Sequence, residues 1–428
     1  MKNRNGRRNR RAWAALGLCC CMTLLAGCAE TSKTIVLAPT PTPQAEDAQT
    51  QSCQYDVSRI DRPQIENGIA AYNWIGWYTK DEHAILCGGY DVDSGAAIIE
   101  RMDYRYGFHE TIVSITAEQI DRTTGDIAIA PDGSKYALAE ESDGQSLLSL
   151  YEMGAETPQP KVQTAVDTEK FGTLMGVEWS GDSTTCLAFF QKTQWGSTEQ
   201  PVDATGQAAP SGGTVQQPIE RTDHVYALVC TMEGAVGQEP VEIPLPTQAP
   251  VIIASDPIAL SMDGRVGMLQ GYNVVTGENQ SYLFAFNQPC TAIEKHNVLG
   301  GFYPRTAWLG TDTMMVADGE RLFLLSDIWN TAEKGELSAE KTVSQKTDVV
   351  IAPNGKAVAF GQMDKNNQWD IYIGVVNEDG TLTQKIAYKG AEWIYQLSFS
   401  PDSTRLLVQT EQPYASQNDR KLMIIEFK

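Results

Sequence analysis

Apolar positions along this chain fall into short runs divided by polar turns, and one arrangement of them keeps returning. IAIAPDGSKYALAE (127–140), VEWSGDSTTCLAFF (177–190), IALSMDGRVGMLQ (258–270), VVIAPNGKAVAFGQ (349–362) and LSFSPDSTRLLVQT (397–410) share a single form. An apolar run enters a four-residue turn built on Pro, Asp or Asn, and Gly or Ser, and a second apolar run returns. Pro presets the first turn torsion, Asp or Asn bonds back to the local backbone, and Gly takes torsions that other residues avoid. Each copy therefore predicts a β-hairpin. Weaker copies stand at Trp77–Glu82 and Trp308–Thr313.

Aligned on Asp81, Asp132, Asp182, Asp263, Asp312, Asn354 and Asp402, the copies lie 51, 50, 81, 49, 42 and 48 residues apart. The long interval holds 191–220, a Gly, Gln, Thr and Pro-rich stretch, and removing its 30 residues restores 51. Each unit continues with a third apolar run, for example at 146–153, 224–232, 281–287, 321–327, 369–376 and 421–427, and a looser fourth usually comes after it, as at 381–389. Four antiparallel strands per unit, with no competing helical period, are the pattern of propeller blades. The prediction is an all-β, seven-bladed β-propeller over 53–428 with a disordered insertion at 191–220. The last unit stops after three strands, so its fourth is expected from 53–60 (CQYDVSRI), which closes the ring and removes an open edge. The "SPDG, strand, loop, D-I-Y, strand" form, clearest at 349–376 and 397–427, resembles the PD40 (WD40-like) repeats of TolB-type propellers. That resemblance implies a fold and leaves the function open.

The N-terminus reads differently. Lys2, Arg4, Arg7, Arg8, Arg10 and Arg11 precede an uncharged, mostly apolar run of 15 residues, Ala12–Ala26. Basic and apolar regions of this kind mark an export signal, and the run is short for a transmembrane helix. Leu25-Ala26-Gly27-Cys28 resembles the lipobox of bacterial lipoproteins. The resemblance implies cleavage after Gly27, diacylglycerol on Cys28, and a protein held on the extracytoplasmic side of a cell membrane by its lipid. Residues 28–52, rich in Thr, Pro, Gln and Ala, are expected to form an extended tether.

Charge narrows the partners. The signal removes six of 33 basic residues and none of 54 acidic ones, which leaves 27 minus 54, or −27. That balance disfavours non-specific binding to nucleic acid or to an anionic lipid surface. Five cysteines lie beyond Cys28, and Cys186 and Cys230 fall where antiparallel neighbours would, as a candidate cross-strand disulfide.

The turns between first and second strands share one face with the three-to-four connections. They are tight and regular, so their Asp and Gly residues are turn chemistry. Loops between second and third strands share the other face with the blade-to-blade connections and vary in length, which is where binding on a rigid scaffold sits. Phe171, Phe302, Tyr303, Arg305, Trp369 and Trp393 fall near that face. They are candidates to ring the channel mouth and contact a partner, the alternative being wedges between blades. Asp364, Asp370 and the Asp91-Val92-Asp93-Ser94-Gly95 segment lack the spacing of an EF-hand loop. No histidine pair has zinc-ligand spacing, and there is neither a G-x-S-x-G elbow nor a P-loop. The expectation is a monomeric, non-catalytic propeller without metal or cofactor that binds a protein or an envelope polymer. A glycan- or solute-binding lipoprotein serving a transporter or sensor, and a hydrolase or lyase with a scattered site, are the alternatives.

Overall fold

The computed structural model describes residues 55–428 apart from 63–68, 92–93, 117, 120–126, 156–157, 196–220, 246–250, 274–275, 302–304, 318–321, 331–332, 337–345, 365, 378–381, 392 and 412–420. Its strands form seven four-stranded antiparallel sheets, the blades of a propeller. Blades 1 to 6 span 69–115, 128–167, 173–243, 251–300, 305–336 and 346–391, each with its strands in chain order. Blade 7 takes Trp393–Phe399, Arg405–Glu411 and Lys421–Phe427 from the end of the chain and adds Val57–Asp61 as its outer strand.

This outer strand closes the ring. Val57 pairs with Phe427 and Asp61 with Ile424, and the Lys428 N–H donates to the Asp56 carbonyl at 2.8 Å. Tyr55 continues the seam, its ring edge-on to Phe427 at 5.6 Å and its hydroxyl accepting from Asn354 Nδ2 of blade 6 at 3.1 Å. The N-terminal segment thus joins the propeller on the face that carries the tight turns.

The predicted turns are held as their residue types require. Asp132 Oδ1 accepts from the Ser134 N–H and hydroxyl, Asp182 and Asp402 do the same for Thr184 and Thr404, and Asn354 Oδ1 accepts from the Lys356 N–H. Neighbouring turns are also stitched together. The Asp132 N–H donates to Ser183 Oγ at 3.0 Å, the Asp182 N–H to the Met262 carbonyl at 2.8 Å, and the Asn354 N–H to Ser403 Oγ at 3.0 Å.

The core is a ring of apolar seams between blades. One packs Leu406, Val408, Met423 and Ile425 of blade 7 against Ile371, Ile373 and Trp369 of blade 6, and another packs Ile75, Trp77, Ile85 and Cys87 of blade 1 against Leu407, Leu422 and Ile424 of blade 7. Three tryptophans at the ends of first strands bridge seams in one manner. Indole N–H groups of Trp77, Trp179 and Trp308 donate at 3.1 Å to the carbonyls of Ser398, Ala128 and Ala259, each in the preceding blade. The bond from Trp77 crosses the point of ring closure. In blade 3 the second strand runs on to Trp195 and the third starts at Arg221, paired with it. The ladder therefore continues into the stretch expected to be insertion.

Candidate binding face

The loop-bearing face is defined by where strands end. First strands begin there, second strands finish there and third strands start there. Trp393 opens the inner strand of blade 7, with Tyr395 two residues on. Both keep large exposure, 41% and 45%, while Ile394 between them is buried in the seam with blade 6. Tyr272, at the end of the second strand of blade 4, is the other large apolar side chain exposed on this face among the described residues.

The sequence candidates separate into groups. Trp369 meets Trp393 edge to face at 5.4 Å and 74°, yet Trp369 is 4% exposed and belongs to the blade 6–7 core. Phe171 is 7% exposed. It ends the one-turn helix Thr168–Phe171, which Asp167 caps by accepting from the Glu169 and Lys170 N–H groups, and it packs edge-on to Tyr226 at 5.3 Å. Phe171 and Trp369 therefore wedge blades and offer no contact surface, because each fills a seam that would otherwise be a void. Arg305 opens the first strand of blade 5, paired with Ala317. Phe302, Tyr303 and Cys28 lie outside the described residues. Of the six aromatic and basic candidates, Trp393 is the one with an exposed side chain among the described residues.

Between blades 6 and 7 the seam opens into a cleft of about 140 Å³ lined by Arg62, Tyr388, Gly390, Ala391, Thr410, Lys421, Leu422 and Met423. Arg62 follows the closing strand. Its Nη2 donates to the Tyr388 hydroxyl at 2.6 Å, and its guanidinium carbon stands 5.6 Å from the ring centroid. These residues were not singled out from sequence, since Arg62 and Tyr388 are 326 positions apart and no local pattern links them.

The acids of this face serve the backbone. Asp364 Oδ1 accepts from the Asn366 and Gln368 N–H groups at 2.8 Å, and Asp370 Oδ1 from the Gly390 N–H at 3.0 Å. No group of three or more His, Cys, Asp or Glu among the described residues is placed to hold a metal ion. Cys186 and Cys230 are directly paired across their strands, but both are free, buried thiols. Burial raises both, Cys230 to about 11, so they stay protonated at neutral pH and are poor nucleophiles.

No family model matches the chain, and no curated protein does. Solved structures do. Prolyl oligopeptidase B from Galerina marginata is 10% identical with a TM-score of 0.51, the alignment covering 80% of this chain and 47% of that one. The β-propeller domain of the Trilobed protease from Pyrococcus furiosus is 12% identical with a TM-score of 0.46, over 84% of this chain and 95% of that one. An oligogalacturonate lyase in complex with manganese is 12% identical with a TM-score of 0.48, over 86% and 96%. At such identities the likeness shows the propeller fold alone.

Proposed function

We propose that this chain is a lipid-anchored, extracytoplasmic propeller that docks a protein or a cell-envelope polymer on its loop-bearing face. The lipid is carried by Cys28, on the strength of Leu25-Ala26-Gly27-Cys28 behind a basic and apolar leader. The repeats are of the PD40 kind found in TolB-type propellers.

One observation carries the docking reading. Trp393 and Tyr395 keep 41% and 45% exposure on the inner strand of blade 7, whose second and third strands help wall a cleft lined also by Arg62. Exposed Trp and Tyr are the composition of interface anchors. This cleft, at about 140 Å³, is itself well under the roughly 300–1,000 Å³ of small-ligand pockets and suits a side chain or one residue of a larger partner.

The test is affinity capture from crosslinked membranes with wild-type protein, Trp393→Ala/Tyr395→Ala and Cys28→Ala as baits. The expected result is a partner held by wild type and lost from the aromatic variant at unchanged melting temperature, with Cys28→Ala released into the soluble fraction. Equal capture by the aromatic variant would overturn the docking site, and membrane retention of Cys28→Ala would overturn the anchor. Several neighbours are propellers of peptidases and one is of a lyase, so turnover of peptide or oligogalacturonate substrates by the purified chain would replace docking with catalysis.

A further inference from the structure

The most exposed large apolar side chains among the described residues are not on the loop-bearing face. Tyr106 is 82% and Phe108 56% exposed, on the hairpin joining the third and fourth strands of blade 1, which lies on the tight-turn face. The hairpin is firmly built. Asp103 Oδ1 accepts from the Arg105 and Tyr106 N–H groups at 2.9 Å, the Gly107 N–H donates to the Asp103 carbonyl at 2.8 Å, and Gly107 takes the left-handed φ of 69° that the turn needs. Arg105 ties it sideways to blade 7, with Nη2 on Glu426 Oε1 at 2.9 Å and Nη1 at 2.7 Å from His83 Nε2. The backbone that carries the two exposed rings is thus fixed within the turn and against blade 7.

Their neighbour gives the occupant. Glu426, which Arg105 grips, pairs with Arg59 of the closing strand, and two residues later Lys428 bonds Asp56. Residues 55–57 therefore meet the propeller on the tight-turn face, the face that carries this hairpin, although they lie on the blade 6 side of blade 7. Cys28 is 27 residues from Tyr55, a separation that at roughly 3.5 Å per residue cannot exceed about 95 Å, so a lipid at Cys28 would confine the propeller to the neighbourhood of the bilayer. Tyr and Phe are suited to the layer between headgroups and acyl chains, where an apolar ring is buried and a hydroxyl stays wet.

We propose that Tyr106 and Phe108 form a membrane contact that inserts into the interfacial layer and turns the tight-turn face toward the lipid. The inference rests on the lipid-anchored reading above. The contact depends on the tether, because a mature chain of charge −27 (27 basic minus 54 acidic residues) is repelled by anionic lipid when free, and tethering raises the local concentration of the hairpin at the surface.

Lipidated wild type, Tyr106→Trp and Tyr395→Trp are each bound to vesicles of phosphatidylcholine and phosphatidylglycerol with plain or brominated acyl chains. Bromine quenches only indoles that reach the bilayer. The added emission of Tyr106→Trp should fall by roughly a factor of two on brominated lipid, and that of Tyr395→Trp should not fall. Unquenched Tyr106→Trp on protein that sediments with the vesicles overturns the contact. Failure of the anchor is read separately, as absence of diacylglycerol from the Cys28 peptide by mass spectrometry. In that event a hexahistidine tag in place of Cys28, on vesicles with nickel-chelating lipid, gives the same brominated-to-plain comparison, and the same two outcomes decide it.

Discussion

Ser183 and Ser403 stand at φ of 61° and 62°, in the left-handed region that Gly133, Gly264 and Gly355 occupy at the same place in their turns. A side chain there costs roughly 1 kcal/mol. Each hydroxyl accepts the turn N–H of the preceding blade, so the strained position is offset by a bond between blades. The two effects can be separated. Ser403→Ala keeps the strain and leaves the Asn354 N–H without its partner, whereas Ser403→Gly loses the same bond and relieves the strain. Ser403→Ala is expected to be the less stable by about 1 kcal/mol in urea unfolding. Equal stability of the two variants would show that a side chain at this left-handed φ carries no cost.

At the scale of elements the closing strand matters most, because it pairs the N-terminal segment with the last strand of the chain. Removing residues through Asp61 leaves the third strand of blade 7 with a bare edge and strips Tyr55 and Val57 from the blade 6–7 seam. That truncation is expected to lower the melting temperature by about 5 °C or more, on the scale of a few kcal/mol in a large domain. An unchanged melt would mean that the ring holds without closure. This element was legible in sequence, as were the third strands Trp369–Val376 and Lys421–Phe427, which coincide with the runs predicted for them. Such features are written locally, in a four-residue turn and the apolar runs beside it. The bridges between blades are not, since the Trp77 bond to Ser398 joins residues 321 apart. The recurrence of Trp at 77, 179 and 308, each just before a turn, was the one available signal. The binding face was half legible for the same reason. Aromatic residues near strand starts were visible, but whether a ring fills a seam, as Phe171 does, or faces outward, as Trp393 does, depends on blades distant in sequence.

Charge acts on the whole molecule. The Asp81 carboxyl is held below its ordinary 3.8 by the hydrogen bond from Arg101 and the His83 N–H. Burial pushes Asp402 up, but its bonds from Ser400 and Thr404 and the charge of Arg405 outweigh this and leave it below 3.8 as well. A depressed carboxyl stabilises the fold fully above its unfolded value and loses that contribution as pH falls through the folded one. Stability should therefore be flat from neutral pH to about 5 and decline below 3.8, and Asp81→Asn should make the acid limb shallower in thermal melts at stepped pH. An acid limb of the same slope would remove Asp81 from the account. Closure by the N-terminal strand also has a mechanical consequence. Any pull between the N-terminal segment and a partner on the opposite face runs along that strand. Ladder hydrogen bonds lie across it, so the pairs from Val57–Phe427 to Asp61–Ile424 share the load in shear instead of parting one at a time. If Cys28 is anchored as proposed, the ring resists most along the line of that tether, and it gives way more readily when its outer strand is peeled sideways.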